Sequence, residues 1–276
     1  MQELTIRAAT IQDCEGIQYV HMGTPGPWAN IGECIPWISK RLERGYYVQV
    51  AELNGQVAGH AEWIETHDHS GKYLYLCVMQ IKTEYQGRGI GRKMVEDGIN
   101  KARALGCTKV VTIPDEDTGS GIFYAKCGFT KGRQIMSISI PTHDYGYSQA
   151  YTTIDRVPFE VIRERRFIFG LSQVSARHMW EVNNEMPAGD NRVTANLVSD
   201  TGDYIQICGL YYNPKKAWVL CWSNAPRPVL VRDALNLGKS QGYEELLFDF
   251  FAEHESFFNG YDKRPEAYCV ETYRPV

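Results

Sequence analysis

Six residues, Gln86-Gly87-Arg88-Gly89-Ile90-Gly91, carry the most specific chemistry in this sequence. Glycines at alternate positions let a ligand approach the backbone, because no Cβ stands in the way. A glycine-rich turn that opens a helix leaves backbone N–H groups unpaired and aimed one way. The helix dipole adds partial positive charge at the same spot, so the stretch suits a phosphate or pyrophosphate. Two common phosphate motifs do not fit. A P-loop ends in Gly-Lys-Ser/Thr, and Gly91-Arg92-Lys93 does not supply it. A dinucleotide fingerprint spaces its third glycine one residue later than Gly91.

The flanking residues supply the elements that would hold such a turn. Lys72 to Met79 is rich in aromatic and apolar residues and reads as a strand. Arg92 to Leu105 places Val95, Ile99, Ala102 and Leu105 at helical spacing, with Gly106 as the stop. Lys109 to Ile113 is a further short strand, so strand, helix and strand form a βαβ unit. Upstream, Leu4 to Arg7 reads as a strand, and Ile11 to Met22 as a helix with Thr10 as N-cap. Gly23 to Trp28 breaks that helix, and Asn30 caps a second one ending near Arg44-Gly45. Tyr46 to Leu53 and Gln56 to Thr66 pair across an Asn54-Gly55 hairpin turn. Downstream, Thr118 to Cys127 is a helix with Gly128 at its C′ position, and Gln134 to Ile140 is a strand.

Composition sets the class. With 276 residues, 43% apolar and 22% charged, the chain can bury one large or two ordinary cores. A net charge of −4 argues against a nucleic-acid binder driven by phosphate contacts. The 8 cysteines form no C-x-x-C and mostly sit in apolar runs, so reduced core thiols are expected rather than disulfides or zinc ligands. Residues 1–7 hold no apolar leader and no apolar run reaches membrane-spanning length, which points to a cytoplasmic protein without a membrane partner. His67-Asp68-His69 has metal-binding residue types but falls in a turn with no second cluster, so no metal is expected.

Gln86 to Gly91 matches Q/R-x-x-G-x-G/A and resembles the acetyl-CoA-binding motif of the GNAT superfamily of N-acetyltransferases. The run Phe123 to Phe129 resembles the family's second motif, and the order of elements over residues 1–140 is similar to the family's fold. The resemblance implies an α/β fold built on a mixed sheet, with acetyl-CoA as acyl donor. It places the pyrophosphate on Gln86, Gly87, Arg88, Gly89, Ile90, Gly91 and Arg92. It lays the pantetheine arm along Met79, Gln80, Ile81 and Lys82. Tyr124 becomes the general acid for the leaving thiolate, a role that suits a phenol. Asp117 stands where many relatives carry an Asn that contacts the cofactor.

The base that takes the amine's proton is harder to assign. Relatives often use a carboxylate on the central strand, and Tyr73 to Leu76 offers none. Glu62 is the first candidate, with His60, Glu33 or a chain of waters as the others. Trp28, in the loop between the first two helices, and Glu33 are candidates to touch the acceptor. The expected reaction is transfer of the acetyl group of acetyl-CoA to a primary amine, on a small molecule or a peptide. The competing reading is an acyl-CoA-binding or sensing protein on the same fold.

A weak internal repeat marks the second half. Val95 to Val111 aligns with Val231 to Leu247, sharing a Val, Asp, Asn and Gly in register, and Leu76-Cys77 resembles Leu220-Cys221. The glycine motif is missing from the second copy, where Asn224-Ala225-Pro226-Arg227-Pro228 stands, and Phe258 replaces Tyr124. The expected organisation is a GNAT domain at 1–140, a linker at 141–155 and a degenerate GNAT-like domain at 156–276. The second domain would support the first, walling the acceptor cleft or making a dimer contact.

Overall fold

A computed structural model describes residues 3–24, 26–114, 119–171, 174–185, 191–210 and 213–276. The first half opens with β1 (Leu4–Ala8), a 3-10 turn at Ile11–Asp13, α1 (Cys14–His21) and α2 (Ile31–Glu43). Then come β2 (Tyr47–Leu53), β3 (Gln56–Asp68), β4 (Gly71–Ile81), α3 (Ile90–Ala104), β5 (Lys109–Thr112), α4 (Gly119–Lys126) and β6 (Thr130–Pro141). The second half runs β7 (Tyr151–Thr153), α5 (Val161–Glu164), β8 (Arg166–Phe169), α6 (Ala176–Asn184), β9 (Asn191–Ser199), β10 (Tyr204–Leu210) and β11 (Asn213–Ser223). It ends with α7 (Val229–Ser240), β12 (Glu245–Phe251), a 3-10 run at Ala252–Phe258 and β13 (Arg264–Pro275).

Local chemistry accounts for the boundaries. The first helix starts later than its periodicity suggests, because Asp13 turns back to accept from the Thr10 N–H at 2.7 Å and from Arg7, which tightens the first turn to 3-10. Asn30 caps α2 as expected, accepting from the Gly32 N–H at 2.9 Å. Asn54 and Gly55 both have positive φ, the conformation of a two-residue hairpin turn. The third strand runs on through His67 and Asp68. Asp68 accepts from Ser70 and from the Tyr73 hydroxyl, so it shapes the hairpin.

Every described strand except β8 lies on one path, in the order β1-β2-β3-β4-β5-β13-β6-β12-β11-β10-β9-β7, and β8 pairs with β11. In each half one parallel contact follows the long helix: β4 with β5 across α3, and β11 with β12 across α7. The second half therefore repeats the first at the level of topology, as the weak sequence repeat suggests. The closing strands are exchanged. The β6 strand of the first half pairs with β12 and β13, and β13 of the second half fills the place between β5 and β6. Neither half completes its sheet without the other.

Packing follows the same logic. Among the described residues, one core under α3 joins Trp63, Leu76, Met94, Val95 and Ile99, and one under α7 joins Phe248, Phe250, Leu235 and Phe258. A third core, on the α1–α2 face, mixes Trp37, Tyr46 and Tyr75 of the first half with Met179, Trp180 and Trp222 of the second. Helix α3 lies so close to the sheet that a Cβ on Gly98 would stand 2.3 Å from the Trp63 ring. Helix α6 covers the opposite face of β3. Its His178 pairs with the Tyr46 hydroxyl at 3.1 Å, and Arg177 donates to the Glu65 and Arg44 carbonyls.

Candidate active site

Two features of β4 make the site. Its pairing with β5 covers only Tyr73–Tyr75 against Lys109–Val111. Beyond Tyr75 the described β4–β5 ladder stops, and Met79 to Ile81 border open space where a ligand can hydrogen-bond as a strand does. The register with β3 also shifts, Glu62 facing Val78 and Trp63 facing Leu76, which leaves Cys77 as a bulge.

The loop after β4 delivers the anion site. A 3-10 turn at Thr83–Tyr85 leads to Gly87 and Gly89, whose φ values are +74° and +77°. Gly89 is the N-cap of α3 and offers no side chain, and the first intrahelical bond runs from the Lys93 N–H to the Gly89 carbonyl. The N–H groups of Ile90, Gly91 and Arg92 thus lie in the uncapped first turn. Gly91 also needs to be small, since a Cβ there would come within 3.1 Å of Phe123.

These pieces border one cleft of about 650 Å³. Met79, Gln80, Ile81, Gln86, Gly87, Gly89, Ile90, Gly91, Arg92 and Tyr124 all line it. Arg88 points elsewhere, donating to the Glu84 carbonyl at 3.2 Å, and Asp117 lies outside the described residues. Tyr85, Ser120 and Phe123 also line the cleft. Phe123 opens the second motif, but Tyr85 and Ser120 carry no spacing signal that the sequence alone makes legible.

Tyr124 stands on α4 at the inner end of the cleft and is 7% exposed. Burial raises its hydroxyl pKa, and the nearby Thr112 hydroxyl only partly offsets this. The phenol therefore stays protonated across the ordinary pH range. Arg92 ties α3 to the end of α4, donating to the Lys126 carbonyl at 2.7 Å.

The other side of β3 holds a buried polar cluster. Glu62 is fully buried. Its Oε1 accepts from the indole N–H of Trp28 at 2.6 Å and of Trp37 at 3.0 Å, and its Oε2 accepts from Arg41 Nε at 2.9 Å. A carboxylate enclosed by three donors cannot itself touch an amine, so Glu62 does not act as a base by direct contact. His60 is also fully buried, and its Nδ1 lies 2.9 Å from Nε2 of His21. Trp28 stacks on His21 with ring centroids 4.9 Å apart. Glu33 is exposed on the first turn of α2 and is not part of the cleft lining. Reading the sequence misses His21 and Arg41, since each occupies an unremarkable helical position.

Burial lowers the pKa of both His21 and His60 to about 3, helped by their mutual repulsion at His21 and by Arg41 at His60. Below the unfolded value of about 6.5 the unfolded chain binds these protons and the folded chain does not. Stability is therefore intact above pH 6.5 and falls as pH drops toward 3, by roughly 1.4 kcal/mol per pH unit for each imidazole. Urea unfolding between pH 7 and pH 4 should show this slope; a flat profile would contradict the buried neutral pair.

The equivalent place in the second half is built differently. Asp203, 2% exposed, accepts from Ser223 at 2.5 Å and from Gln149 and Thr201 at 2.9 Å, and pairs with Arg227. Burial raises its pKa, but these hydrogen bonds and the Arg227 charge outweigh it, so the carboxyl stays ionised. A carboxylate thus sits beside the segment that replaces the glycine loop.

Residues 20–129 match the model of the acetyltransferase (GNAT) family. The L-methionine sulfoximine/L-methionine sulfone acetyltransferase of Salmonella typhimurium is 27% identical over 147 residues, which are 50% of this chain and 86% of that protein. An L-amino acid N-acyltransferase of Escherichia coli is 26% identical over 145 residues, 49% of this chain and 84% of that protein. Solved structures share the fold over both halves. An acetyltransferase from Pyrococcus horikoshii superposes with a TM-score of 0.63 at 15% identity, covering 100% of this chain and 90% of that one. An N-acetyltransferase from Kribbella flavida gives 0.67 at 12%, covering 100% and 71%. With the cleft and the glycine loop, these matches place a GNAT acetyltransferase domain at residues 20–129 and mark the chain as an acyltransferase.

Proposed function

We propose that this protein transfers the acetyl group of acetyl-CoA to the primary amine of a small, amino-acid-like acceptor by direct attack on the thioester. The observation that carries this reading is the junction of three features in one cleft: the uncapped start of α3, the unpaired edge of β4 and the protonated Tyr124. The pyrophosphate lies on the N–H groups of the loop, and the arm pairs with Met79 to Ile81. The thioester then reaches the splay between β4 and β5. The amine attacks its carbonyl carbon, the C–S bond breaks, and Tyr124 donates a hydrogen bond to the departing thiolate. A thiol has a reference pKa of about 8.5, well below this phenol, so Tyr124 chiefly stabilises the sulfur charge while the second ammonium proton moves to it. The acceptor class rests on the two curated relatives, both of which act on amino acids or amino-acid analogues by name.

The second half serves as a supporting module, bounded near residues 141–155. It lends β13 to the first half's sheet and α6 to the face opposite the cofactor.

Acetyl-CoA with a panel of amino acids and other small amines should release free thiol. Tyr124→Phe keeps the ring and loses only the donor. Its kcat should fall at least about tenfold with little change in acetyl-CoA affinity. Thiol release at the wild-type rate would remove Tyr124 from the mechanism, and none with any amine from the wild-type protein would overturn the proposed reaction.

A further inference from the structure

The amine must lose a proton before it attacks, and the carboxylate best placed to take it is enclosed. The polar chain between Glu62 and the surface resolves this. The fully buried His60 Nε2 has no hydrogen-bond partner among the described residues and lies 3.7 Å from Glu62 Oε1. A buried polar atom left unpaired in this way calls for an explanation. On its other side, His60 Nδ1 meets His21 Nε2 at 2.9 Å. Nδ1 of His21 lies 3.4 Å from the Thr24 hydroxyl, and Thr24 is partly exposed in the loop between α1 and the Trp28 turn. A line of exchangeable sites therefore runs from the loop to Glu62.

The tautomers follow from the acceptors. Glu62 Oε1 can only accept, so the relay places the His60 proton on Nε2, facing it across a 3.7 Å gap that is longer than a hydrogen bond and must close for transfer. His60 Nδ1 is then bare and accepts from His21 Nε2–H. That leaves His21 Nδ1 bare, and the Thr24 hydroxyl already donates to the His21 carbonyl at 2.7 Å. The chain ends in a free acceptor at the loop.

We propose that His21 and His60 form a proton relay that carries the acceptor's ammonium proton to Glu62. This rests on the reaction proposed above. One N–H bond of the ammonium breaks and a proton joins His21 Nδ1. His21 passes its Nε2 proton to His60 Nδ1, and His60 passes its Nε2 proton to Glu62 Oε1. Both imidazoles end neutral with exchanged tautomers, Glu62 ends as a carboxylic acid, and the amine's lone pair is free to attack. After turnover the same steps run backward to solvent. No imidazolium forms, which is what a site this dry requires, since burial disfavours the charged ring. Position agrees: His60 lies opposite Gln80 and Glu62 opposite Val78, across from the edge of β4 that holds the thioester arm.

The charged groups that act on the two imidazoles are Glu62 on β3, which favours the charged form of His21, and Arg41 on α2, which disfavours that of His60. Glu62 Oε1 lies 3.7 Å from His60 Nε2.

His21→Gln and His60→Gln test the relay. Glutamine keeps polar contacts of similar reach but cannot take up a proton at one atom and release it from another. At neutral pH each variant should lose about 10²-fold in kcat with the KM for acetyl-CoA unchanged. The loss should shrink to within about twofold above roughly pH 9, where amines shed their proton unaided. A merely structural role would give a loss independent of pH, and that result overturns the relay, as does wild-type kcat in both variants. Wild-type thiol release in the same assay separates the two proposals: its absence sinks the reaction itself, while normal release with a pH-independent variant deficit sinks the relay alone. Thermal melts of both variants confirm that the comparison is between folded proteins.

Discussion

Replacing Gly89 or Gly91 by glutamate is expected to abolish coenzyme A binding while the chain stays folded. At Gly89, φ is +77°, where a side chain costs about 1–2 kcal/mol, a tolerable strain for a chain of this size. At Gly91 the new Cβ would press on Phe123 at 3.1 Å, and Phe123 itself lines the cleft. In both cases the larger effect is on the ligand. A carboxylate would sit where unpaired N–H groups wait for a pyrophosphate, and it would repel that anion and occupy its space. A calorimetric titration should show no measurable heat with either variant, and near-normal affinity would mean that the loop is not the anchor.

The largest stability effect is expected at Glu62. Its pair with Arg41 is buried on both sides, 0% and 1% exposed, and Arg41 also stacks on the Trp37 and Tyr46 rings at 4.1 and 4.3 Å. Glu62→Ala leaves a guanidinium and two indole N–H groups unpaired in a dry core. Breaking one partner of such a pair costs about 3–5 kcal/mol, and the melting temperature should fall by roughly 10 °C. The double variant Arg41→Met with Glu62→Leu removes both charges and should lose much less. A small loss in the single variant, or equal losses in both, would show that the pair is not what holds α2 to β3.

The sequence speaks most clearly where one residue type is physically required. Gly87 and Gly89 adopt positive φ, and Asn54-Gly55 makes the hairpin, so local composition points straight at local backbone. The cleft lining from Met79 to Arg92 follows, because it is one continuous stretch of chain. What escapes is everything set by long-range pairing. Both β6 and β13 look like ordinary strands, and nothing local says that each closes the sheet of the other half. The same holds for the polar cluster. His21 and His60 are 39 residues apart and meet only because α1 crosses β3. A side chain at Gly16 would strike Val57 at 2.5 Å, which shows how closely that crossing is made. Glu62 reads as an acid in a strand, but its three donors come from the Trp28 turn and α2, and only the fold brings them there.

The central claim is that one glycine-loop cleft, in the first half, holds the acyl donor. The counterpart segment, Asn224 to Pro228, carries two prolines, which have no N–H to offer an anion, and the ionised Asp203 lies beside it. Titration calorimetry of the full chain with coenzyme A tests this most directly. The predicted result is one molecule bound per chain, lost entirely in Gly89→Glu. Two molecules per chain, or one that survives Gly89→Glu, would contradict it.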